Sequence, residues 1–308
     1  KSFEVEQVQP QTIILGSSRT HLGISCSHEA LAKLEAPCYN LAFDGATAKE
    51  MYYYLRHADA VRPLKHVVLW LDLYHASNAP AITRPDFDEF LLYSDNLPHW
   101  FRVITADLRL LTSFDMLRAS IQTIRSQLKI ESSWFSPDGQ RLGEVFFRQV
   151  QPTFVNAGAR AYFDEIDQQE IRDQIMPATN KKQPEPVINV EESSISYIKR
   201  IIEFCRKHNI DLRVFITPSH AHQSEISAAI WGEDSLTSGK RELVKLLAGD
   251  VAVHHDKQLI PLLDFSGYSE ITTEPLPPVG SKEEMLYYWK LWEICFSNDK
   301  IKDANNLS

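Results

Sequence analysis

The chain alternates between short unbroken apolar runs and longer stretches carrying a single apolar stripe, and the early runs hand over to turns bearing Gly, Ser or Asp. Thr12-Ile13-Ile14-Leu15 is the first run, which predicts a short buried strand entering Gly16-Ser17-Ser18-Arg19-Thr20 and then a helix. Residues 1–11 are polar and read as a lead-in. Ser27 to Leu34 reads as helix, Cys38-Tyr39-Asn40-Leu41-Ala42 as a second strand, and Phe43 to Thr47 as a loop before a helix carrying Glu50, Met51, Tyr54, Leu55 and Ala58. Pro63 ends that helix, and His66-Val67-Val68-Leu69-Trp70-Leu71 is the near-continuous run expected of a central parallel strand covered on both faces, with Asp72 at its carboxyl end. Three βα units in succession predict a doubly wound sheet, whose ligands sit beyond the carboxyl ends of the strands. Ser18, Gly45 and Asp72 would share that rim.

From Leu73 to about Val190 the alternation stops, and residues 73–190 read as a mainly helical insertion. His75 to Pro98 is rich in Pro, Asp and Asn and reads as a long loop. Leu108 to Leu128 has helical apolar spacing, Ser136-Pro137-Asp138-Gly139 is a turn, Arg160 to Ile175 is a second helix, and Pro177 to Pro186 resembles a linker. Such an insertion either shapes the site or supports the fold away from it. Glu191 to His208 then restores the pattern, with Ile195, Ile198, Ile202 and Cys205 on one stripe, which places Cys205 in the core. Leu212 to Ile216 is the next strand and delivers Thr217-Pro218-Ser219-His220-Ala221-His222 to the same rim. Trp231 to Leu247 contains a helix, Val251-Ala252-Val253 reads as a short strand, and Pro261 to Phe265 as a final strand or a loop. The expectation is one domain over residues 1–308, a flavodoxin-like three-layer α/β/α sandwich with a mainly parallel sheet, followed by an atypical, truncated or disordered tail at 290–308.

Charge and cysteine usage narrow the chemistry. With 41 acidic against 32 basic side chains, a net charge of −9 and no basic run, a phosphate-backbone partner is excluded as an expectation. A strongly anionic polymer would need a local basic groove, for which Arg19, Arg56 and Arg84 are the candidates. Cys26, Cys38, Cys205 and Cys295 show neither metal spacing nor a dense disulfide pattern. No run approaches the ~20 apolar residues that span a bilayer. The chain opens with Lys1 rather than Met, so an upstream export signal or anchor stays open.

Two candidate chemistries arise on the rim. A serine where a strand enters a helix can attack a carbonyl while backbone N–H groups hold the oxyanion, or it can cap the helix. His220 and His222 on alternate residues invite a metal reading, but His254-His255-Asp256, the nearest further ligands, lie on another segment. A satisfied polar role or contact with substrate is the expectation, and no metal or cofactor is implied.

The order Gly16-Ser17-Ser18, Asn40-Leu41-Ala42-Phe43-Asp44-Gly45, the apolar strand ending at Asp72, Thr217-Pro218-Ser219-His220 and Tyr287-Tyr288-Trp289 resembles the SGNH (GDSL-like) hydrolase superfamily. More narrowly it is similar to bacterial cell-envelope members encoded with polysaccharide export and O-acetylation systems. The resemblance implies an esterase or O-acyltransferase acting on an acylated glycan or another ester in the periplasm or cell envelope. It assigns Ser18 as nucleophile and Gly45 as oxyanion donor, with Ser17, Arg19, Asn40 and His222 near substrate. The family carries asparagine where this chain has Asp72, and ends on Asp-x-x-His. After Trp289 this chain reads Lys290-Leu-Trp-Glu293-Ile-Cys-Phe296, so that motif is absent, and His220 or His222 is the substitute base. The alternative is a non-catalytic module of the same fold that binds a glycan or a polysaccharide-assembly partner.

Overall fold

The computed structural model describes residues 1–32, 34, 37–72, 80–84, 87, 89–92, 134–147, 151–179, 190–231, 234–254 and 258–287. The strands are β1 (Thr12–Leu15), β2 (Cys38–Asn40), β3 (His66–Leu71), β4 (Asp211–Ile216) and β5 (Leu262–Asp264). They form one sheet in the order β2-β1-β3-β4-β5, and every pairing is parallel. β3 lies at the centre, as its unbroken apolar sequence requires, because a parallel strand between two helix layers must be apolar on both faces.

Side-chain alternation divides those faces. Ile13 and Leu15, Val67, Leu69 and Leu71, and Leu212, Val214 and Ile216 point to one layer, packed with α3 (Ala48–Val61), α5 (Ser194–His208) and Leu243 and Leu247 of α7 (Asp234–Val253). Ile14, Val68, Trp70 and Phe215 point to the other, against Ile24, Leu31 and Phe265. The result is a three-layer α/β/α sandwich. α3 starts on a capping box between Thr47 and Glu50, and α5 on Ser193, whose side chain accepts from the Ser196 N–H.

Several expectations change. Part of the polar lead-in is a helix, α1 (Ser2–Val8), because Val5 and Val8 fall three residues apart and pack on the core around α3. Val251-Ala252-Val253 is not a strand but the last turn of α7, with Val253 largely exposed. The helix expected from Ser27 to Leu34 is shorter, Glu29–Ala32. Cys26 and Cys38 form a disulfide that ties the segment after α2 (Ser18–Gly23) to the start of β2, while Cys205 is buried and free.

From the insertion, α4 (Pro152–Thr179) is broken at Gly158, whose φ of 88° favours glycine and whose added Cβ would lie 3.1 Å from the Ser281 carbonyl oxygen. Phe147, Phe154, Phe163, Met285 and Tyr287 form a separate apolar cluster there. α4 runs into the expected linker as far as Thr179; residues 180–189, the Leu108–Leu128 segment and residues 288–308, including Trp289, Lys290, Glu293 and Phe296, lie outside the described residues. Among the described residues no helix is long and apolar enough to cross a membrane.

Candidate active site

The sheet order reverses direction at β1, which has β2 on one side and β3 on the other, and the turns leaving β1 and β3 meet there. Gly16 makes this turn tight: a Cβ on it would lie 2.2 Å from the Thr20 hydroxyl. Asp72, 2% exposed, gathers the polar groups of three strand ends. Ser17 Oγ donates to Asp72 Oδ2. Thr217 Oγ1 donates to Oδ1 at 2.6 Å, and Arg19 Nη1 donates to the same oxygen at 2.9 Å.

The network continues along β4's outgoing loop into α6 (Ala221–Trp231). Arg19 Nη2 is 3.4 Å from both Ser219 Oγ and Gln223 Oε1, and the Tyr287 hydroxyl donates to that same Gln223 oxygen at 3.3 Å. His220 is neutral in this arrangement: Nε2–H donates to the Glu274 carbonyl at 3.0 Å, and Nδ1 accepts from the His222 N–H at 3.2 Å. Burial lowers its pKa, against the opposing pull of that carbonyl. Both ring nitrogens are therefore committed to backbone. His222 is half exposed and meets Asp167 of α4, Nε2 to Oδ2 at 3.0 Å, and burial raises the Asp167 carboxyl above the usual range despite that imidazole. Phe163 of α4 lies 4.9 Å from the His220 ring, so the insertion contributes to this rim.

The two adjacent serines differ. Ser17 is the N-cap residue of α2, yet its side chain makes no capping bond because it is committed to Asp72. Ser18 follows at the first helical position, half-buried, and its hydroxyl has no hydrogen-bond partner among the described residues. The Phe43 N–H donates to the Gly16 carbonyl at 3.3 Å, which holds the Asp44-Gly45 turn beside the serine turn. Gly45 has φ 67°, is exposed, and would place a Cβ in open space.

Asn40 sits elsewhere in this scheme. It is fully buried, donates through Nδ2 to the Thr20 and Ile24 carbonyls at 3.1 and 2.7 Å, and accepts from the Ala42 N–H at 2.9 Å, so it fastens α2 to the chain leaving β2. Of the three arginines considered, only Arg19 reaches this network. Arg84 pairs with Glu50 and Arg56 stacks over Tyr52, beside a groove of about 400 Å³ between α3 and α5.

A second cluster had no signal in the sequence beyond its place next to Ser18 and Gly45. His21 of α2, with a side chain 3% exposed, has Nδ1 3.3 Å from Asp44 Oδ1, and Asp44 also pairs with Arg141. Burial lowers the His21 pKa, with Asp44 opposing it. Burial alone would raise the Asp44 carboxyl, but its bonds to His21 and Arg141 hold it below the usual range. His21 Nε2 is buried and has no hydrogen-bond partner among the described residues.

No group of three His, Cys, Asp or Glu side chains converges as for a metal ion among the described residues. His255 and Asp256 lie outside them. Compared with known proteins, this chain matches no family model and no curated sequence.

Proposed function

We propose that this chain is an SGNH-like serine esterase or O-acyltransferase acting on an acylated glycan or another ester, with Ser18 as nucleophile and Gly45 as an oxyanion donor. One observation carries the reading: of two neighbouring serines at the reversal of the sheet, Ser17 is locked to Asp72, while Ser18 keeps an uncommitted hydroxyl beside the Gly45 turn. A capping hydroxyl would be bonded to a backbone N–H, and a nucleophile must be able to turn toward a carbonyl. The strand order 2-1-3-4-5 supports a flavodoxin-like assignment within the α/β/α class. The Cys26–Cys38 disulfide supports an oxidising compartment, in keeping with a periplasmic or cell-envelope site.

The test is hydrolysis of a chromogenic acetyl ester. Ser18→Ala is expected to reduce it by about 10³-fold or more, while Ser17→Ala keeps measurable turnover. Equal turnover by Ser18→Ala and the parent chain would refute the nucleophile.

A second reading, a non-catalytic module binding a glycan or an assembly partner, is favoured by Asp72, whose oxygens are taken inside the fold where the family places an oxyanion-donating asparagine. Acylated-glycan binding that Ser18→Ala leaves intact, with no turnover in either form, would select it.

A further inference from the structure

We infer that His21, oriented by Asp44, is the base that accepts the Ser18 proton, an assignment that rests on the reading of Ser18 as nucleophile. The site carries a histidine whose one ring nitrogen is held by a carboxylate and whose other is buried and unpaired. A buried polar atom without a partner costs about 1–3 kcal/mol, and of the four such atoms among the described residues, Thr20 Oγ1, His21 Nε2, Trp70 Nε1 and Asp167 Oδ1, only the His21 nitrogen is a base whose other ring nitrogen is held by a carboxylate. Nδ1–H donating to a carboxylate fixes the tautomer that leaves a lone pair on Nε2, the division of labour a serine nucleophile needs.

Position supports the same assignment. Ser18 and His21 are three residues apart on α2, and helical side chains lean toward the N-terminus over the residues three and four before them. The imidazole is bounded by Asp44 on one edge and by Phe135 on its face, with ring centroids 5.6 Å apart. It thus joins the helix bearing Ser18 to the turn bearing Gly45 through Asp44. The other histidines fit less well: both nitrogens of His220 bond backbone, and His222 is tied to Asp167 on a different pair of helices.

Ser18 Oγ forms a bond to the acyl carbon as its proton passes to His21 Nε2, and the carbonyl oxygen carries the negative charge toward the Gly45 N–H. Collapse breaks the ester C–O bond, and the departing alkoxide takes the proton from Nε2. Water, or a hydroxyl of an acceptor glycan, then attacks the acyl carbon, yields its proton to Nε2 and releases Ser18, which recovers the proton. Asp44 is a positioning residue throughout.

Covalent labelling of Ser18 by a fluorophosphonate, followed by intact mass against pH, tests the assignment. His21→Asn is the informative variant, because its amide can still donate to Asp44 while leaving nothing at the Nε2 position. It is expected to label about 100-fold more slowly than the parent chain, and His222→Asn within about two-fold. In the parent the rate should fall as pH drops below the ordinary histidine range, since burial and the facing Lys1 and Arg141 lower the His21 pKa and Asp44 opposes them. That limb should vanish in His21→Asn and move in Asp44→Asn. A second readout needs no variant: in the parent chain with ring-labelled histidine, phosphonylation of Ser18 should shift the His21 titration, and an unmoved titration would overturn the assignment. Labelling of His21→Asn at the parent rate with the limb intact would overturn it while leaving Ser18 as nucleophile. No labelling of folded parent chain at Ser18 would overturn the nucleophile and the base together.

Discussion

At Asp72 a carboxylate almost wholly withdrawn from water accepts from the Ser17 and Thr217 hydroxyls and pairs with Arg19. Isolating such a charge costs several kcal/mol, and these three donors offset it. Asp72→Asn preserves the volume but turns one acceptor into a donor that must face a hydroxyl or a guanidinium, and it leaves Arg19 without its counter-ion. The expected loss is about 3 kcal/mol, read from urea unfolding. Ser18→Ala is the contrast: its hydroxyl has no partner among the described residues, so stability should stay within about 0.5 kcal/mol. Stability losses in the reverse order would mean that Ser18, rather than the Asp72 network, holds the turn.

At the scale of elements, strands announced themselves where burial on both faces demanded an unbroken run, as in His66 to Leu71, and helices where one stripe was long enough to show a period, as in α5. Pieces of one or two turns escaped that logic. α1 has only Val5 and Val8 to mark its inner face, and the Val-Ala-Val end of α7 mimics a strand because three residues cannot display a helical period. The position of Ser18, Gly45 and Asp72 after the carboxyl ends of strands was legible, because each follows an apolar run. The bond of Thr217 to Asp72 and the pairing of His21 with Asp44 were not legible, because they join turns from different strands that meet only once the sheet order is set. The disulfide was hidden for a related reason: Cys26 and Cys38 are 12 residues apart with no metal or knot spacing, and β2 pairing beside β1 brings them together. Closing a loop of that size stabilises by about 3 kcal/mol in the chain-entropy account. Cys26→Ala/Cys38→Ala should therefore unfold at lower urea concentration by that amount, and added thiol should lower the stability of the parent chain but not of the double variant. Equal stability of parent and double variant would show that the native packing already fixes this loop.

Among the groups whose folded pKa values differ from those of the open chain, two sets make the molecule acid-sensitive. Burial lowers His21 and His220 from the ordinary 6.5, partly opposed by Asp44 and by the Glu274 carbonyl respectively. The unfolded chain therefore binds these protons first, and stability falls as pH drops below 6.5 toward the folded values. Burial would raise Asp44, Asp211 and Asp264, but His21 and Arg141, His66 and Arg213, and Lys240 and Ser266 outweigh it and leave all three below the ordinary 3.8. Their contribution is present above that value and is lost as pH falls through the folded pKa values. Asp167 acts with the opposite sign, because burial raises its carboxyl and the folded state takes up that proton first. Its contribution therefore grows as pH falls toward 3.8. The urea midpoint should thus decline below pH 6.5 and decline again below 3.8. His220→Gln should diminish the first decline and leave the second in place, whereas His21→Asn should diminish both, because Asp44 loses the imidazole that holds its carboxyl down. A midpoint that holds constant from about pH 7 to pH 5 would mean that both imidazoles take up their protons without opening the fold, which the buried His21 ring and the doubly bonded His220 ring do not permit.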